Sequence, residues 1–322
     1  MDIMGKVEDN RDSYEKRTYY FIINPVAKNA GSLKIWTNVM EVLEREGVPY
    51  SYAFTAYKGH GTELAKEFLR KEGDAILVAI GGDGTIHEVA NGAAGFKRAK
   101  IAYIPAGSGN DFARGEGISP HPLKALEGLL HSDQERPIDL GFYKTSRSEG
   151  YFLNSLGIGL DAAITQAVNQ SRVKRHFNRL GAGKIIYLAY FLWKWATYKP
   201  DEMEVEIDGV HHSFTNVWLV NVANHPYFGG GIKISPNAKP DDGIFHILVI
   251  HNIPRLKLLM MFGTVFWGGH LRIRGVDSFE GRTIQVISVA KSPIQADGDN
   301  VGVSEAFINM QQHMVKLAVQ GE

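Results

Sequence analysis

Residues 75–92 read AILVAIGGDGTIHEVANG, and this stretch decides the fold. Ala75 to Ile80 is a continuous apolar run of strand length, which marks a strand covered on both faces, as in a parallel sheet flanked by helices. It runs straight into Gly81-Gly82-Asp83-Gly84-Thr85 and then into a segment of helical character. Glycines here leave out the Cβ atoms, so backbone N–H groups approach an anion closely, at a helix N-terminus whose dipole favours negative charge. The pattern predicts a phosphate cradle at the C-terminal end of a buried strand. Thr85 and Glu88 also have the spacing of a capping box, which gives Glu88 a structural alternative.

Working outward, Tyr19 to Ile23 (YYFII) ends at Asn24-Pro25, and Ile35, Val39, Val42 and Leu43 follow at helical spacing up to Gly47. Tyr50 to Thr55 is strand-like, and Leu64, Phe68 and Leu69 mark another helix, so the order up to Ile80 is βαβαβ. Downstream, the strand Ile101 to Ile104 opens into Pro105-Ala106-Gly107-Ser108-Gly109-Asn110-Asp111-Phe112. Two small-residue loops on successive strands of one parallel sheet converge on one crevice. Helix capping is the structural alternative for Asn110-Asp111. A helix from Leu123 to Leu130 and a strand from Ile138 to Tyr143 complete this half.

The second half is strand-rich. Glu204 to Asp208, Asn216 to Val222, Ile244 to Ile250, Thr283 to Val289, Ala306 to Ile308 and Met314 to Val319 read as strands. Asp208-Gly209, Asp242-Gly243 and Asp297-Gly298 supply turns. An antiparallel, sandwich-like β domain is expected, with helical insertions near 160–199 and 254–267. The expected organisation is a tail over 1–17, a nucleotide-binding α/β domain over 18–143, and a β-rich substrate domain over 144–322 whose last strands are free to return to the first.

The whole chain has 322 residues with 35 Lys+Arg and 35 Asp+Glu, a balance that disfavours a dedicated nucleic-acid binder. There is no Cys, which excludes disulfide frameworks and thiolate sites and fits a reducing cytoplasm. The N-terminal stretch carries acidic residues and no apolar core, unlike a signal or transit peptide. The longest apolar run, Ile185 to Trp193, is far short of the roughly 20 residues a bilayer span needs. Residues 172–199 hold seven Lys or Arg, no acid and many aromatic residues, which predicts either an interfacial helix on a membrane surface or one packed on the β domain. Open strand edges in the second half make a homodimer reasonable.

Several motifs are ruled out. There is no GxxxxGK[ST], so the chain is not a P-loop enzyme. Gly157-Ile158-Gly159-Leu160-Asp161-Ala162 imitates a dinucleotide fingerprint, yet no acid occurs between Asp161 and Asp201, and a tight strand-to-helix turn is the better reading. His87-Glu88 has Asn91 where a zinc-binding His is needed. Asp297-Gly298-Asp299 opens like a calcium loop but has Ile308 at the twelfth position.

Taken in order, NPVAKNAGS (24–32), GGDGTIHEVANG (81–92), IPAGSGNDFAR (104–114), Asp139-Leu140-Gly141, FLNSLGIGLDA (152–162), ISPNAKPDDGIF (234–245) and Asp297-Gly298 resemble the bacterial diacylglycerol kinase family. That family includes sphingosine and ceramide kinases and is distantly related to NAD kinases. The resemblance runs over about residues 18 to 319. It implies an α/β domain like that of NAD kinases and phosphofructokinases, followed by a β-sandwich, and an ATP-dependent lipid kinase that phosphorylates a lipid hydroxyl, diacylglycerol being the expected acceptor. An NAD kinase-like enzyme and a non-catalytic lipid or nucleotide sensor are the competing readings.

Residue by residue, the resemblance implies nucleotide contacts at Asn24, Thr55, Gly81, Gly82, Asp83, Gly84, Thr85, Ser108 and Asn110, with Glu88 nearby. It implies catalytic roles for Asp297, as general base toward the lipid hydroxyl, and for Asp83. A structural magnesium ion is expected at the Asp242 carboxylate and the Lys239 and Ile244 carbonyls, with Asp83, Asp111 and Asp139 linked to it through water. A second, catalytic Mg2+ accompanies ATP. Two positions depart from the family pattern: Asp299 stands where Glu is usual, and Lys28 where many relatives have Gly.

Overall fold

The computed structural model describes residues 5–6, 17–28, 30–72, 75–171 and 183–319. The chain divides into two units, one drawn from Met1–Ile138 and Gln312–Glu322 and the other from Asp139–Gln311.

In the first unit, strands β2 (Tyr19–Ile23), β3 (Tyr50–Phe54), β4 (Ile76–Gly81) and β5 (Lys100–Pro105) are parallel and lie in the order β3-β2-β4-β5. The short strand β1 (Gly5–Lys6) adds antiparallel to β3. At the other edge, Lys316 and Leu317 pair in parallel with Lys100 and Ile101. Helices α1 (Gly31–Glu46), α2 (His60–Glu72), α3 (Asp83–Ala93), α4 (Asp111–Glu116) and α5 (Pro122–His131) complete the unit. All six residues of β4 are buried, as an apolar run without alternation requires when both sheet faces are covered. Phe21, Ile23, Val78 and Ile80 pack with Trp36, Val39 and Leu43 of α1 and Leu126 and Leu129 of α5. On β2, the neighbouring Tyr20 stacks at 3.9 Å on Phe68 of α2.

The second unit is antiparallel. Its strands β8 (Ser155–Gly159), β9 (Asp201–Ile207), β10 (Val210–Ala223), β11 (Phe245–His251), β12 (Val276–Gly281), β13 (Thr283–Ser288), β14 (Pro293–Ala296) and β15 (Asp299–Val303) are joined largely by tight turns. Strand β10 is central and pairs with β8, β9 and β11. Residues from Asp139 onward of β6 (Glu135–Thr145) form a hairpin with β7 (Glu149–Phe152). One core joins Phe152, Val205, Val220, Val222, Phe245, Ile247, Val286, Ile294 and Ile308. A second core forms where α6 (Leu160–Gln170), α7 (Gly183–Thr197) and α8 (Arg255–Phe262) cover Trp218, Leu248 and Ile250. Both faces of β10 are therefore apolar, which explains its unbroken run from Val217 to Val220.

The hairpin turns fall where expected: Asp208 and Gly209 have φ of 48° and 84°, Asp297 and Gly298 46° and 90°, the pair of positive values that a two-residue turn demands. Two local expectations are corrected. The segments expected as separate strands at Ala306 to Ile308 and Met314 to Val319 form one strand, β16 (Glu305–Ala318), interrupted only by a positive φ at His313. The capping box at Thr85 and Glu88 does not form, because α3 begins at Asp83 with Gly82 as its N-cap and no side-chain cap. The segment expected to meet a membrane, 172–199, lies outside the described residues as far as 182. Among the described residues no helix is long and apolar enough to cross a membrane.

Candidate active site

The strand order of the first unit creates a switch point. From β2 the chain turns to β3 on one side, whereas β4 leads to β5 on the other, so the C-terminal ends of β2 and β4 flank a crevice. The residues at those ends are bonded to one another. Asn24 donates its backbone N–H to Ile80 O at 3.0 Å and its side-chain amide to Thr85 Oγ1 at 3.4 Å. Thr55, just after β3, donates its N–H to Ile23 O at 2.8 Å. Ala106 N donates to Gly81 O at 2.7 Å, tying the second small-residue loop to the first.

The glycines are placed as a cradle requires. A methyl group on Gly81 would collide with the Thr85 side chain. At Gly107 it would lie 2.5 Å from Gly82 Cα and 2.8 Å from Asn110 Oδ1. At Gly82 it would reach Gly107 Cα at 3.4 Å, and at Gly84 it would meet nothing within 4 Å. The two loops thus touch backbone to backbone at Gly82 and Gly107, while Gly84 and Ser108 are exposed.

Asn110 takes the left-handed conformation (φ 55°) and locks the second loop. Its Oδ1 accepts from Gly107 N–H and from Tyr103 Oη, both at 3.0 Å, and its Nδ2 donates to Gly107 O at 3.3 Å. It precedes α4 but makes no side-chain cap. Asp83 Oδ1 accepts the Phe112 N–H at 3.0 Å, so the first loop's carboxylate also fixes the second loop. Asp111 is buried and pairs with Arg114 at 2.7 Å. Burial, and then the charges of Asp83 and Asp111, push the Tyr103 hydroxyl well above its ordinary pKa. Glu88 accepts the N–H groups of Gly59 and Gly61 at 2.7 and 2.9 Å, holding the turn that starts α2.

In the second unit Asp139 is fully buried and buckles the 239–244 loop. Its N–H donates to Pro240 O at 2.7 Å, its Oδ2 accepts Gly243 N–H at 2.8 Å, and its carbonyl accepts Asn224 Nδ2 at 2.9 Å. Asp242 Oδ1 accepts the Ile244 N–H at 3.2 Å. Loss of water contact, and then the negative charges of Asp241 and Asp139, raise its carboxyl above the usual range. A cation would relieve that crowding, and one carboxylate with backbone carbonyls and water is a donor set that suits Mg2+. Among the described residues no group of three or more His, Asp or Glu forms a closed metal cage. Asp297, at its turn, accepts three backbone N–H groups, from Leu153 (2.7 Å), Asn154 (2.9 Å) and Ser155 (3.1 Å). Asp299 faces Ala296 across the same hairpin.

Residues 18–143 match the diacylglycerol kinase catalytic domain, and 154–319 match the YegS C-terminal NAD kinase beta sandwich-like domain. The chain belongs to the diacylglycerol kinase family. YtlR of Bacillus subtilis (strain 168), named among the lipid kinases, is 31% identical over 291 residues, covering 89% of this chain and 94% of the relative. A diacylglycerol kinase of the same organism is 27% identical over 296 residues, 91% of this chain and 93% of the relative. The crystal structure of a diacylglycerol kinase from Bacillus anthracis str. Sterne has the same fold, with a TM-score of 0.70 at 20% identity over 95% of this chain and 97% of that one.

For a member of this family, one feature escaped sequence reading. A pocket in the second unit is walled by Leu160, Ile164, Phe191, Ile232, Met261 and Phe262 among other apolar residues, with a single carboxylate, Asp161. Asp161 is buried; its Oδ2 accepts from Gln295 Nε2 at 3.3 Å, and its Oδ1 has no hydrogen-bond partner among the described residues. Burial pushes its carboxyl up to about 6. Gly157 is glycine because any Cβ there would overlap the Asp161 carboxylate. The strand-to-helix turn read from Gly157-Ile158-Gly159 exists, with Gly159 at φ 106°. The available signal was an acid inside an otherwise apolar string; nothing in the spacing said that its carboxylate would stay inside.

Proposed function

We propose that this protein transfers the γ-phosphoryl group of ATP to a hydroxyl of a lipid, with diacylglycerol as the acceptor and phosphatidic acid as the product. The observation that supports a lipid acceptor is the pocket beside Asp161, whose walls are otherwise apolar and of the kind that takes acyl chains. The nucleotide reading rests on the two loops whose backbones touch at Gly82 and Gly107, an approach that a Cβ at Gly107 would prevent, beside the N-terminus of α3, where backbone N–H groups favour phosphate oxygens.

In this reading the acceptor oxygen attacks the γ-phosphorus, the bond from that phosphorus to the β–γ bridging oxygen breaks, and ADP leaves with that oxygen. The hydroxyl proton passes to Asp297, whose carboxylate is held in one orientation by three backbone N–H groups. Mg2+ supplies charge neutralisation to the phosphates when bound. The chain's own residues do the positioning: Asn24 and Thr85 at the switch point, Asn110 and Asp83 fixing one loop to the other, and Asp139 shaping the 239–244 loop for the second ion.

The test is transfer of label from γ-labelled ATP, in Mg2+, to diacylglycerol, other lipid alcohols and NAD in parallel. Labelled phosphatidic acid is the expected product. Label appearing in NADP alone, or in no acceptor at all, would overturn the assignment in favour of a nucleotide kinase or a sensor.

A further inference from the structure

The string Gly157-Ile158-Gly159-Leu160-Asp161 carries strand β8 into helix α6, and it sets a helix carboxylate where a strand side chain would normally lie. Gly157 pairs with Gln295 of β14. A Cβ on Gly157 would overlap the Asp161 carboxylate and come within 2.8 Å of Gln295 Nε2, so the bare glycine leaves the gap in which Gln295 donates to Asp161 Oδ2. Gln295 is 3% exposed, and a buried side-chain amide is costly unless both of its ends are paired. Both are, because its Oε1 accepts the Gly298 N–H at 2.7 Å. One end of this amide therefore meets the carboxyl of the apolar pocket, and the other holds the turn that carries Asp297, the proton acceptor of the proposed reaction.

Helix α6 reaches the same turn a second time. Its first residues supply Leu160, Asp161 and Ile164 to the pocket wall. About 12 Å further along the helix axis, Asn169 Nδ2 donates to Gly298 O at 3.0 Å. The N–H and the C=O of Gly298 are thus both tied to one helix, the first through Gln295 and the second directly. On its other side the turn is held by β8 and the residues before it: Asp297 N–H donates to Ser155 O at 3.0 Å, and the Asp297 carboxylate accepts from Leu153, Asn154 and Ser155. The position of the turn is therefore set jointly by β8 and by α6, and a displacement of Leu160, Asp161 and Ile164 is carried to Gly298. Small displacements are enough to matter. A general base works within about 2.6–3.2 Å of the proton it takes, and a misplacement of about 1 Å costs roughly a hundredfold in rate.

We propose that Gln295 and Asn169 are positioning residues that tie the turn of Asp297 to helix α6, so that a chain filling the pocket sets the orientation of the base. The proposal rests on the lipid-kinase reading and deepens it. It makes the acyl chain of the acceptor, remote from the reacting hydroxyl, a contributor to kcat and not to binding alone. An acceptor too short to reach Leu160 and Ile164 leaves Asp297 less well aligned, which lets the site discriminate against water and free glycerol without any contact to their hydroxyl groups.

The test compares the full chain with Asn169→Ala, Gln295→Leu and Gln295→Glu, using 1,2-dioctanoylglycerol and 1,2-dibutyrylglycerol as acceptors. Wild type should show a kcat about fivefold or more higher on dioctanoylglycerol. Asn169 is exposed, so its alanine variant folds, and it should lower that ratio; Gln295→Leu should bring the ratio to about one. Gln295→Glu keeps an oxygen for the Gly298 N–H and should restore most of it. ATP affinity by calorimetry should be the same in all four proteins, a split that general loss of structure does not give. Independently of turnover, amide hydrogen exchange is followed without ATP, with and without dodecanol. Slower exchange over residues 258–265 reports a filled pocket, and exchange over 295–300 should slow with it by about threefold or more in wild type but not in Gln295→Leu. A filled pocket with unchanged exchange over 295–300, or an equal chain-length ratio in wild type and Gln295→Leu, overturns the coupling. So does exchange over 258–265 that dodecanol leaves unchanged, since the pocket then takes no chain. If dodecanol slows both segments in wild type but no glyceride accepts phosphate, the coupling stands and the lipid-acceptor reading falls; turnover of both glycerides with an unaltered ratio gives the reverse.

Discussion

Replacing Gly107 with alanine adds one methyl group where the two loops touch. Built on the present backbone it lies 2.5 Å from Gly82 Cα, against an ordinary carbon–carbon contact of about 3.5–4.0 Å, so one loop has to move by about 1 Å. It also sits 2.8 Å from Asn110 Oδ1, the atom that accepts from both Gly107 N–H and Tyr103 Oη. Overpacking of this kind costs about 1–3 kcal/mol and one weakened hydrogen bond about 1 kcal/mol more. At about 2–4 °C per kcal/mol for a unit of this size, the melting temperature should fall by roughly 4–15 °C. ATP affinity by calorimetry should fall with it, because the displaced N–H groups no longer converge. Gly84→Ala is the matched control: its methyl meets nothing within 4 Å, and alanine is the better helix former by up to about 1 kcal/mol, so its melting point should hold or rise. A Gly107→Ala protein that melts within about 2 °C of wild type would refute the claim that the loops are in backbone contact.

Other outcomes follow from single hydrogen-bond sets. Asp297→Asn points an amide N–H group at a backbone N–H donor, so it should lower stability by about 1–3 kcal/mol as well as abolish turnover; an unchanged melting curve would show that the three donors are not engaged. Glu88→Ala strands the Gly59 and Gly61 N–H groups and should cost a similar amount, visible as faster amide hydrogen exchange at the start of α2. For Asp161, the native carboxyl keeps its proton up to about pH 6 while the unfolded chain releases it near pH 4. The native state therefore binds more protons across that window, and stability falls as pH rises through it, by about 2–3 kcal/mol in full above it. Asp161→Asn should accordingly melt higher than wild type at pH 8 and lose that advantage at pH 4, and equal differences at both pH values would contradict a buried, protonatable carboxyl.

What the chain announced in advance was mostly periodicity and punctuation. Ala75 to Ile80 has no polar alternation, so a doubly covered strand was the one arrangement that fits it, and Asp208-Gly209 and Asp297-Gly298 could hardly be anything but two-residue turns. Side-chain partnerships between distant residues were not legible. Glu88 has capping-box spacing from Thr85, yet its carboxylate is spent on Gly59 and Gly61, nearly thirty residues earlier, because the helix starts at Asp83, so that Thr85 is itself inside the first turn and Glu88 lies beyond the position from which a capping carboxylate reaches back. Asn110 and Asp83 lie in strings that suggest ligand contact; their hydrogen bonds to Gly107, Tyr103 and Phe112 show that they first hold the loops together. The pocket was hidden for a different reason: its walls come from segments as far apart as Leu160 and Val265, all of them ordinary apolar residues.

The strand Glu305–Ala318 has a consequence for how the protein is made. Its last residues complete the first unit: Val315 and Leu317 are buried, Lys316 N–H donates to Ala99 O at 3.1 Å, and Val319 N–H donates to Gln134 O at 2.9 Å. During synthesis, β5 (Lys100–Pro105) therefore waits with an open edge until its partner residues Lys316 and Leu317, about 210 residues further on, have left the ribosome, and the N-terminal half cannot finish folding first. A gene fragment cut after residue 143 would yield a sheet missing its closing strand, prone to recruit the same strand from any other chain.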